Sequence, residues 1–171
     1  MSKSKITHSV AYSGANACDN AADIEIYEVF DKAKHMDLLL LGDEQESMVN
    51  KYIDRGVMFA VAKRGSVIAE AVVTDEGGGI AEIKNIAVTP NEQRRGIGAM
   101  LIDHICRVCA KNFDVLQVGT GDGTPTVRFY EKCGFTVSHK IERFFTDNYD
   151  HPIYENGVRL TDMAYLRKRL R

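Results

Sequence analysis

The segment that most constrains the fold is an apolar strand that passes through a basic loop into a long amphipathic helix. Residues 81–89 have the apolar character of a buried strand, and Pro90 ends it. In residues 96–111, apolar side chains recur at intervals of three and four, which predicts a helix with one buried face. The sequence therefore places a loop with two arginines and two glycines between a strand and the start of a helix.

This loop has the chemistry of an anion site. The first N–H groups of a helix have no partner within the helix, and the helix dipole adds positive potential there. Gly96 and Gly98 allow a ligand to approach the backbone, and Arg94 and Arg95 add charged donors. A solvated basic helix start is the alternative interpretation. The loop is neither a P-loop nor a dinucleotide fingerprint, because both glycine patterns are incomplete.

The remaining periodicity predicts one α+β domain with a central sheet of six to seven strands flanked by helices. No internal repeat or linker interrupts the pattern. The predicted strands are residues 24–30, 57–63, 67–74, 81–89, 115–118, 135–144 and 159–170, the predicted helices are residues 43–55, 96–111 and 124–132, and residues 75–79 are a flexible loop.

Length and composition limit the classes of function. A chain of 171 residues predicts one domain, which we assign to residues 23–171, with residues 1–22 a polar tail predicted to be disordered. A net charge of −2 lacks the basic excess of nucleic-acid binders, and the longest apolar run, residues 57–62, is too short to span a membrane. The first 22 residues lack a signal-type apolar core and the four cysteines form no secreted framework, so we expect a cytoplasmic protein.

Three segments resemble the GNAT superfamily of acyl-CoA-dependent N-acetyltransferases. Gln93-x-x-Gly96-x-Gly98 has the family's [QR]-x-x-G-x-[GA] form. Residues 82–88 resemble its fourth strand, and residues 129–135 resemble its [FL]-Y-x-x-x-G-F segment. The resemblance implies an α/β/α layered fold with a mixed, mostly antiparallel sheet, and an enzyme that uses acetyl-CoA as co-substrate without a metal.

The resemblance also implies how coenzyme A would be held. The family's pantetheine arm pairs with the fourth strand, and the pyrophosphate binds backbone N–H groups of the loop and helix start. Gly123 stands where many members carry an asparagine, and Thr126 stands in place of an alanine, so the asparagine's contact to the cofactor is either missing or replaced by the Thr126 hydroxyl. The implied cofactor-binding residues are Ile86, Ala87, Val88, Gln93, Arg94, Arg95, Gly96, Ile97, Gly98, Ala99 and Thr126.

Two side chains correspond to the family's catalytic groups. Glu82 matches a general-base glutamate, which removes a proton from the attacking amine; an ion pair with Lys84 or substrate recognition is the alternative role. Tyr130 matches a tyrosine beside the coenzyme sulfur, with core packing as the alternative. The implied reaction is direct attack by a primary amine of a small molecule or peptide in a ternary complex. Cys133 is expected to be packed rather than to carry an acyl group.

Two other functions stay open at this stage. A GNAT-like domain can bind acyl-CoA without turnover. Residues 115–118 followed by the glycine pattern of residues 119–123 also resemble the first motif of S-adenosylmethionine-dependent methyltransferases, although too little chain follows for a doubly wound domain. The alternative role for these glycines is a turn that separates the fourth and fifth strands. We expect a monomer or a homodimer.

The acceptor is expected to meet the early helices and the late loops. Acidic residues there suit a cationic amine, although a solvated surface is the plain alternative. The candidates are Asp43, Glu44, Glu46, Asp147, Asp150 and Glu155, with Tyr149, His151 and Tyr154 as possible pocket walls. His139 and His151 lack a ligand pattern, so no metal is expected.

Overall fold

The computed structural model describes residues 24–171, so the predicted tail of residues 1–22 and Cys18 lie outside the described residues. The strands are β1 (Ile24–Val29), β2 (Val57–Lys63), β3 (Ser66–Gly77), β4 (Ile80–Val88), β5 (Val115–Gly121), β6 (Thr136–Ile141), β7 (Tyr154–Glu155), β8 (Val158–Arg159) and β9 (Met163–Arg169). The helices are α1 (Met36–Gly42), α2 (Glu46–Val49), α3 (Ile97–Cys109), α4 (Pro125–Lys132) and α5 (Phe144–Asn148), with 3-10 turns at Lys32–His35 and Pro90–Glu92.

The central sheet has seven strands in the order β1-β2-β3-β4-β5-β9-β6. Every neighbouring pair is antiparallel except β4 and β5, which are parallel and joined through α3. The strands β7 and β8 form a separate short hairpin. This architecture confirms the predicted α+β class and the mixed, mostly antiparallel sheet of six to seven strands.

Helices cover both faces of the sheet. The apolar face of α3 packs on one side, where Leu101, Ile102 and Ile105 are fully buried in the main core. A second apolar cluster on the other side joins Leu39 of α1 and Val49 of α2 to the strands. Because both sides of the sheet are covered, β2 is buried along almost its whole length, which explains its unbroken apolar sequence.

Two helical predictions need correction. The predicted helix of residues 43–55 is only the short α2 followed by turns, and α1 was not predicted. The helix α1 ends at Gly42, where an added Cβ would lie 2.0 Å from Oδ1 of Asn85, so close packing on β4 requires glycine. This contact joins residues 43 positions apart, which local periodicity does not reveal.

The chain after α4 also differs from the prediction. Residues 135–144 contain the shorter β6, and α5 was not predicted at all. The last strand is β9 rather than residues 159–170. The predicted loop of residues 75–79 is partly strand, because antiparallel pairing continues to Gly77 opposite Ile80. These differences arise where pairing with a distant strand sets the bounds.

The cysteines of the described chain carry no disulfide. Cys106 and Cys109 are buried in the main core, and Cys133 is half-buried against the same core. Burial raises the pKa of the Cys133 thiol above its ordinary value. No helix within residues 24–171 is long and apolar enough to span a bilayer.

Candidate active site

The central sheet opens where β4 and β5 part. The two strands pair only from Ile80 opposite Val115 to Ile83 opposite Val118. Beyond this point the edge of β4 that faces β5 has no strand partner, while β5 continues to pair with β9. The opening forms a cavity of about 450 Å³, here called the larger cavity, lined by Lys84, Asn85 and Ile86 of β4 and by residues 118–121 of β5.

The glycines of β5 make room for neighbouring side chains. An added Cβ at Gly119 would lie 2.5 Å from Sδ of Met163, and one at Gly121 would lie 2.7 Å from Cδ2 of Leu160. Gly119 and Gly121 lie within β5, which is longer than the predicted strand, so the alternative of a turn is wrong for these two; Gly123, with a φ of +73°, lies in the turn that follows. The mostly antiparallel sheet also excludes the doubly wound fold that the methyltransferase interpretation requires.

The loop between β4 and α3 begins with a 3-10 turn at Pro90–Glu92. The side-chain amide of Gln93 turns back and donates a hydrogen bond to the backbone oxygen of Val88 at 3.0 Å. Gly96 caps α3 with a φ of +83°, a left-handed conformation that favours glycine, and no side chain caps the helix there. Within the described residues, no side chain at the N-cap therefore accepts a hydrogen bond from the first N–H groups of α3.

The two loop glycines have different roles. An added Cβ at Gly96 would meet no atom within 4 Å, so this position is needed for its backbone conformation. An added Cβ at Gly98 would lie 3.2 Å from Cζ of Phe129, so this position allows α3 to pack against α4. Arg94 and Arg95 are exposed, and Nη1 of Arg95 lies 3.7 Å from the Glu92 carboxylate.

Glu82 lies in a row of polar side chains that crosses three strands. Its Oε2 accepts a hydrogen bond at 2.6 Å from Nε2 of Gln117, the residue directly opposite on β5. Arg167, opposite Gln117 on β9, donates from Nε to Oε1 of Gln117 at 3.1 Å. Oε1 of Glu82 accepts from Nζ of Lys84 at 2.6 Å and from the Tyr165 hydroxyl at 3.3 Å. The buried carboxylate is thus held by three donors in a single orientation.

The Lys84 partner of Glu82 lies in a bulge of β4. The pairing with β3 shifts between Ile83 and Asn85, so Lys84 is an extra residue in its strand. The alternative interpretation of Glu82, an ion pair with Lys84, is therefore present in the structure. Glu82 nevertheless lines a cavity, so the ion pair and contact with a substrate are compatible.

Tyr130 is almost fully buried on α4, between the rings of Phe129 and Phe135, and lines the larger cavity. Burial is the main cause that raises the pKa of its phenol well above the ordinary value, so the phenol stays protonated. Thr126, one helical turn earlier, also lines the larger cavity, and its hydroxyl donates to Glu155 at 2.5 Å.

A smaller cavity of about 240 Å³ adjoins the larger one on the side of α2 and α5. Glu82 lines the smaller cavity and Tyr130 lines the larger one, so the two predicted catalytic residues approach the same opening from different sides. Six residues line both cavities: Asp43, Ile83, Lys84, Gly119, Tyr149 and Met163.

Of the predicted cofactor-binding residues, Ile86, Gln93 and Thr126 line the larger cavity. The others do not line either cavity: Ala87 and Val88 lie on β4, and Arg94, Arg95, Gly96, Ile97, Gly98 and Ala99 follow in the loop and the first turn of α3.

Asp43 joins two segments across the junction of the cavities. The Tyr149 hydroxyl donates to its Oδ1 at 3.0 Å, and the Tyr52 hydroxyl lies 3.4 Å from its Oδ2. The Asn85 side chain in turn donates to the Tyr52 hydroxyl at 2.8 Å. Burial raises the pKa of the Asp43 carboxyl, although the hydrogen bonds oppose this shift.

Sequence reasoning missed Gln117, Arg167 and Tyr165. A polar Gln117 within the apolar run of β5 is a usable signal, because a buried polar group needs a partner. No such signal exists for Tyr165, which meets Glu82 only because β9 lies beside β5. Within residues 24–171, no group of three or more acidic, histidine or cysteine side chains could hold a metal ion.

Known proteins resemble this chain in sequence and in fold. The sequence model of the acetyltransferase (GNAT) domain matches residues 54–137. The Bacillus subtilis (strain 168) protein described as uncharacterized N-acetyltransferase YvbK is 33% identical over 132 residues, which span 76% of this chain and 85% of that protein. The chain belongs to the GNAT family of acetyltransferases.

Two solved structures of acetyltransferases superimpose on this chain over most of its length. The IAA acetyltransferase of Bacillus cereus ATCC 14579 superimposes with a TM-score of 0.81 at 32% identity, over 85% of this chain and 99% of that one. A GNAT family acetyltransferase of Elizabethkingia anophelis, solved with acetyl-CoA bound, gives 0.80 at 33% identity, over 86% and 98%. This GNAT protein is therefore an acyltransferase enzyme, which confirms the predicted class over both alternatives.

Proposed function

We propose that this enzyme transfers an acetyl group from acetyl-CoA to a primary amine of a small molecule or peptide by direct attack in a ternary complex. The observation that carries the proposal is the opening between β4 and β5, which leaves one edge of β4 without a strand partner directly before the loop that leads into α3. Glu82 and Tyr130 line the two cavities that meet in this opening.

Coenzyme A would bind along β4 and the start of α3. The pantetheine arm carries amide groups that can pair with the free edge of Ile86, Ala87 and Val88 as an added strand does. The pyrophosphate would accept hydrogen bonds from backbone N–H groups of residues 94–99, where the helix dipole favours an anion. Gln93 supports this arrangement by its hydrogen bond to Val88, which ties the loop to the end of the strand.

Thr126 is proposed as a further contact to the cofactor. Its hydroxyl donates to Glu155, so its oxygen keeps lone pairs for a donor on the pantetheine arm. It lines the larger cavity on the helix that also carries Tyr130.

Glu82 would act as the general base. An alkyl ammonium with a pKa near 10.4 is neutral in only about one molecule in 2,500 at pH 7, and only the neutral amine attacks a thioester. The ammonium proton passes to the Glu82 carboxylate through water, and the neutral amine nitrogen bonds to the thioester carbon. The carbon–sulfur bond then breaks, and the nitrogen releases its second proton to solvent to give the amide. The three donors on Glu82 keep its carboxylate directed to one place while it receives the proton.

Tyr130 would stabilise the departing sulfur. The raised pKa of its phenol disfavours a phenolate, so Tyr130 donates a hydrogen bond to the thiolate rather than giving up its proton. A thiol has a pKa of about 8.5, so the thiolate leaves with this partial help and takes its proton from solvent.

The test is a CoA-release assay with acetyl-CoA and a broad panel of amines, comparing the wild type with Glu82→Gln. We expect Glu82→Gln to lower kcat by roughly 10²-fold and to change the pH dependence of the rate. The matched control is Glu25→Gln, which removes an exposed carboxylate on β1 that lines neither cavity. Unchanged kcat and pH dependence in Glu82→Gln would remove the base from the proposal.

Four expectations stay predictions: cytoplasmic location, a monomer or homodimer, a disordered tail at residues 1–22 with a single domain at residues 23–171, and activity without a metal. Activity that persists in excess chelator checks the last of these.

A further inference from the structure

The smaller cavity carries more basic than acidic side chains. Asp43 and Glu82 supply two carboxylates, whereas Lys51, Arg55 and Lys84 supply three cations. The acidic excess expected from the sequence is therefore absent on the side from which Glu82 would meet an amine. Of the acidic candidates, only Asp43 lines this cavity; Glu46, Asp147 and Asp150 line neither cavity.

Both carboxylates already have donors. Glu82 accepts from Lys84, Gln117 and Tyr165. Asp43 accepts from Tyr149, with the Tyr52 hydroxyl at 3.4 Å. In the smaller cavity, a second ammonium on the acceptor would lie near three cations, and both carboxylates there already accept hydrogen bonds from other side chains.

The cations of the smaller cavity, in contrast, have hydrogen-bond donors that no carboxylate of the described chain uses. Arg55 pairs with Glu76 at 2.7 Å, and Lys84 uses one of its three N–H groups on Glu82. The Lys51 ammonium lies 2.9 Å from the Met48 sulfur, a weak acceptor, and within residues 24–171 no carboxylate lies within ion-pair distance of it. An anionic group that enters the cavity would find donors at Lys51 and Lys84.

We propose that the acceptor is a small primary amine that also carries a carboxylate, with its amine directed to Glu82 and its carboxylate to Lys51. The inference rests on the proposed function and narrows it, because it excludes polyamines as preferred acceptors. A volume of about 240 Å³ suits a molecule of amino-acid size. Tyr52, Tyr149 and Met163 provide apolar walls for the body of such a molecule.

The first experiment compares three matched series of amines, with two to six carbons, in the CoA-release assay. Each series ends in a carboxylate, a methyl group or a second ammonium, as in 5-aminopentanoate, pentylamine and 1,5-diaminopentane, and the corresponding α-amino acids are included. We expect kcat/KM to be highest for a carboxylate member and lowest for the diamines. Equal values, or a preference for the diamines, overturn the inference while leaving the proposed function intact.

The second experiment uses Lys51→Gln. We expect it to raise KM about three- to fivefold for the best carboxylate-bearing amine and to leave the methyl-terminated amine unchanged, because only the former contacts the lysine. Lys111→Gln, an exposed lysine beyond α3 that lines neither cavity, is the matched control. A parallel change for both amines overturns the contact with Lys51. Absence of transfer to every amine in these series and in the broad panel, peptides included, overturns the proposed function itself, and the inference with it.

Discussion

Glu70, in the middle of β3, should make the stability of this protein depend on pH. Its side chain is fully buried, and neither carboxyl oxygen has a hydrogen-bond partner among the described residues. Its strand neighbours are Ala60 on β2 and Ala87 on β4, which offer no polar side chain. Burial raises the pKa of Glu70 from 4.5 to about 8. The folded protein therefore holds this proton at neutral pH, whereas the unfolded chain loses it.

The sign and size of the effect follow from this difference in pKa. Between pH 4.5 and 8 the folded state binds more protons than the unfolded state, so the free energy of unfolding falls as the pH rises through this window. Below it the side chain is neutral in both states and the penalty is absent. Each pKa unit corresponds to about 1.4 kcal/mol, so Glu70 should remove about 2–3 kcal/mol of stability between pH 5 and pH 7.

Glu70→Gln tests this reasoning, because glutamine has nearly the same shape and stays neutral at every pH. Urea unfolding at pH 5, 6 and 7 would give the free energy of unfolding of both proteins. We expect the variant to gain about 2–3 kcal/mol relative to wild type between pH 5 and pH 7, whatever constant offset the amide adds. Glu25→Gln, which removes an exposed carboxylate from β1, should give a curve parallel to wild type. Parallel curves for Glu70→Gln and wild type would refute the argument.

Two further predictions concern the proposed catalytic groups. Gln117→Met should lower kcat by about tenfold and shift the pH profile of the rate, because it removes the donor that lies 2.6 Å from Glu82 and orients its carboxylate. In a Glu82→Gln background the same substitution should change neither quantity. An additive loss of kcat in the double variant would contradict a positioning role for Gln117. Tyr130→Phe should lower kcat by roughly tenfold to a hundredfold with little change in KM for acetyl-CoA, as measured by CoA release. The control Tyr27→Phe, on the edge strand β1, should leave kcat and KM unchanged. A change confined to KM would count against a hydrogen bond from Tyr130 to the thiolate.

Local signals predicted the segments that carry the cofactor chemistry. The predicted strand of residues 57–63 coincides with β2, and residues 96–111 contain α3, because unbroken apolar runs and helical periodicity are properties of neighbouring residues. The left-handed Gly96 at the helix start also follows from local backbone sterics. The family resemblance rests on residues 82–88, 93–98 and 129–135, and it identified Glu82 and Tyr130 as candidates.

Tertiary structure decided how the candidate site is assembled. Gln117 reaches Glu82, and Arg167 reaches Gln117, because β4, β5 and β9 are neighbours in the sheet, although the members of these two pairs lie 35 and 50 positions apart in the chain. The charge of the smaller cavity likewise depends on which loops converge there, and the acidic residues counted in the sequence mostly lie elsewhere.

The sequence by itself therefore determined the fold class, the strand–loop–helix unit and the family. Only the tertiary structure decided which donors hold Glu82, which cations face the acceptor and why Glu70 must stay protonated. The physical reason is range: periodicity and backbone conformation act between neighbours along the chain, whereas burial, hydrogen bonding and electrostatics act between groups that meet only after the strands have paired.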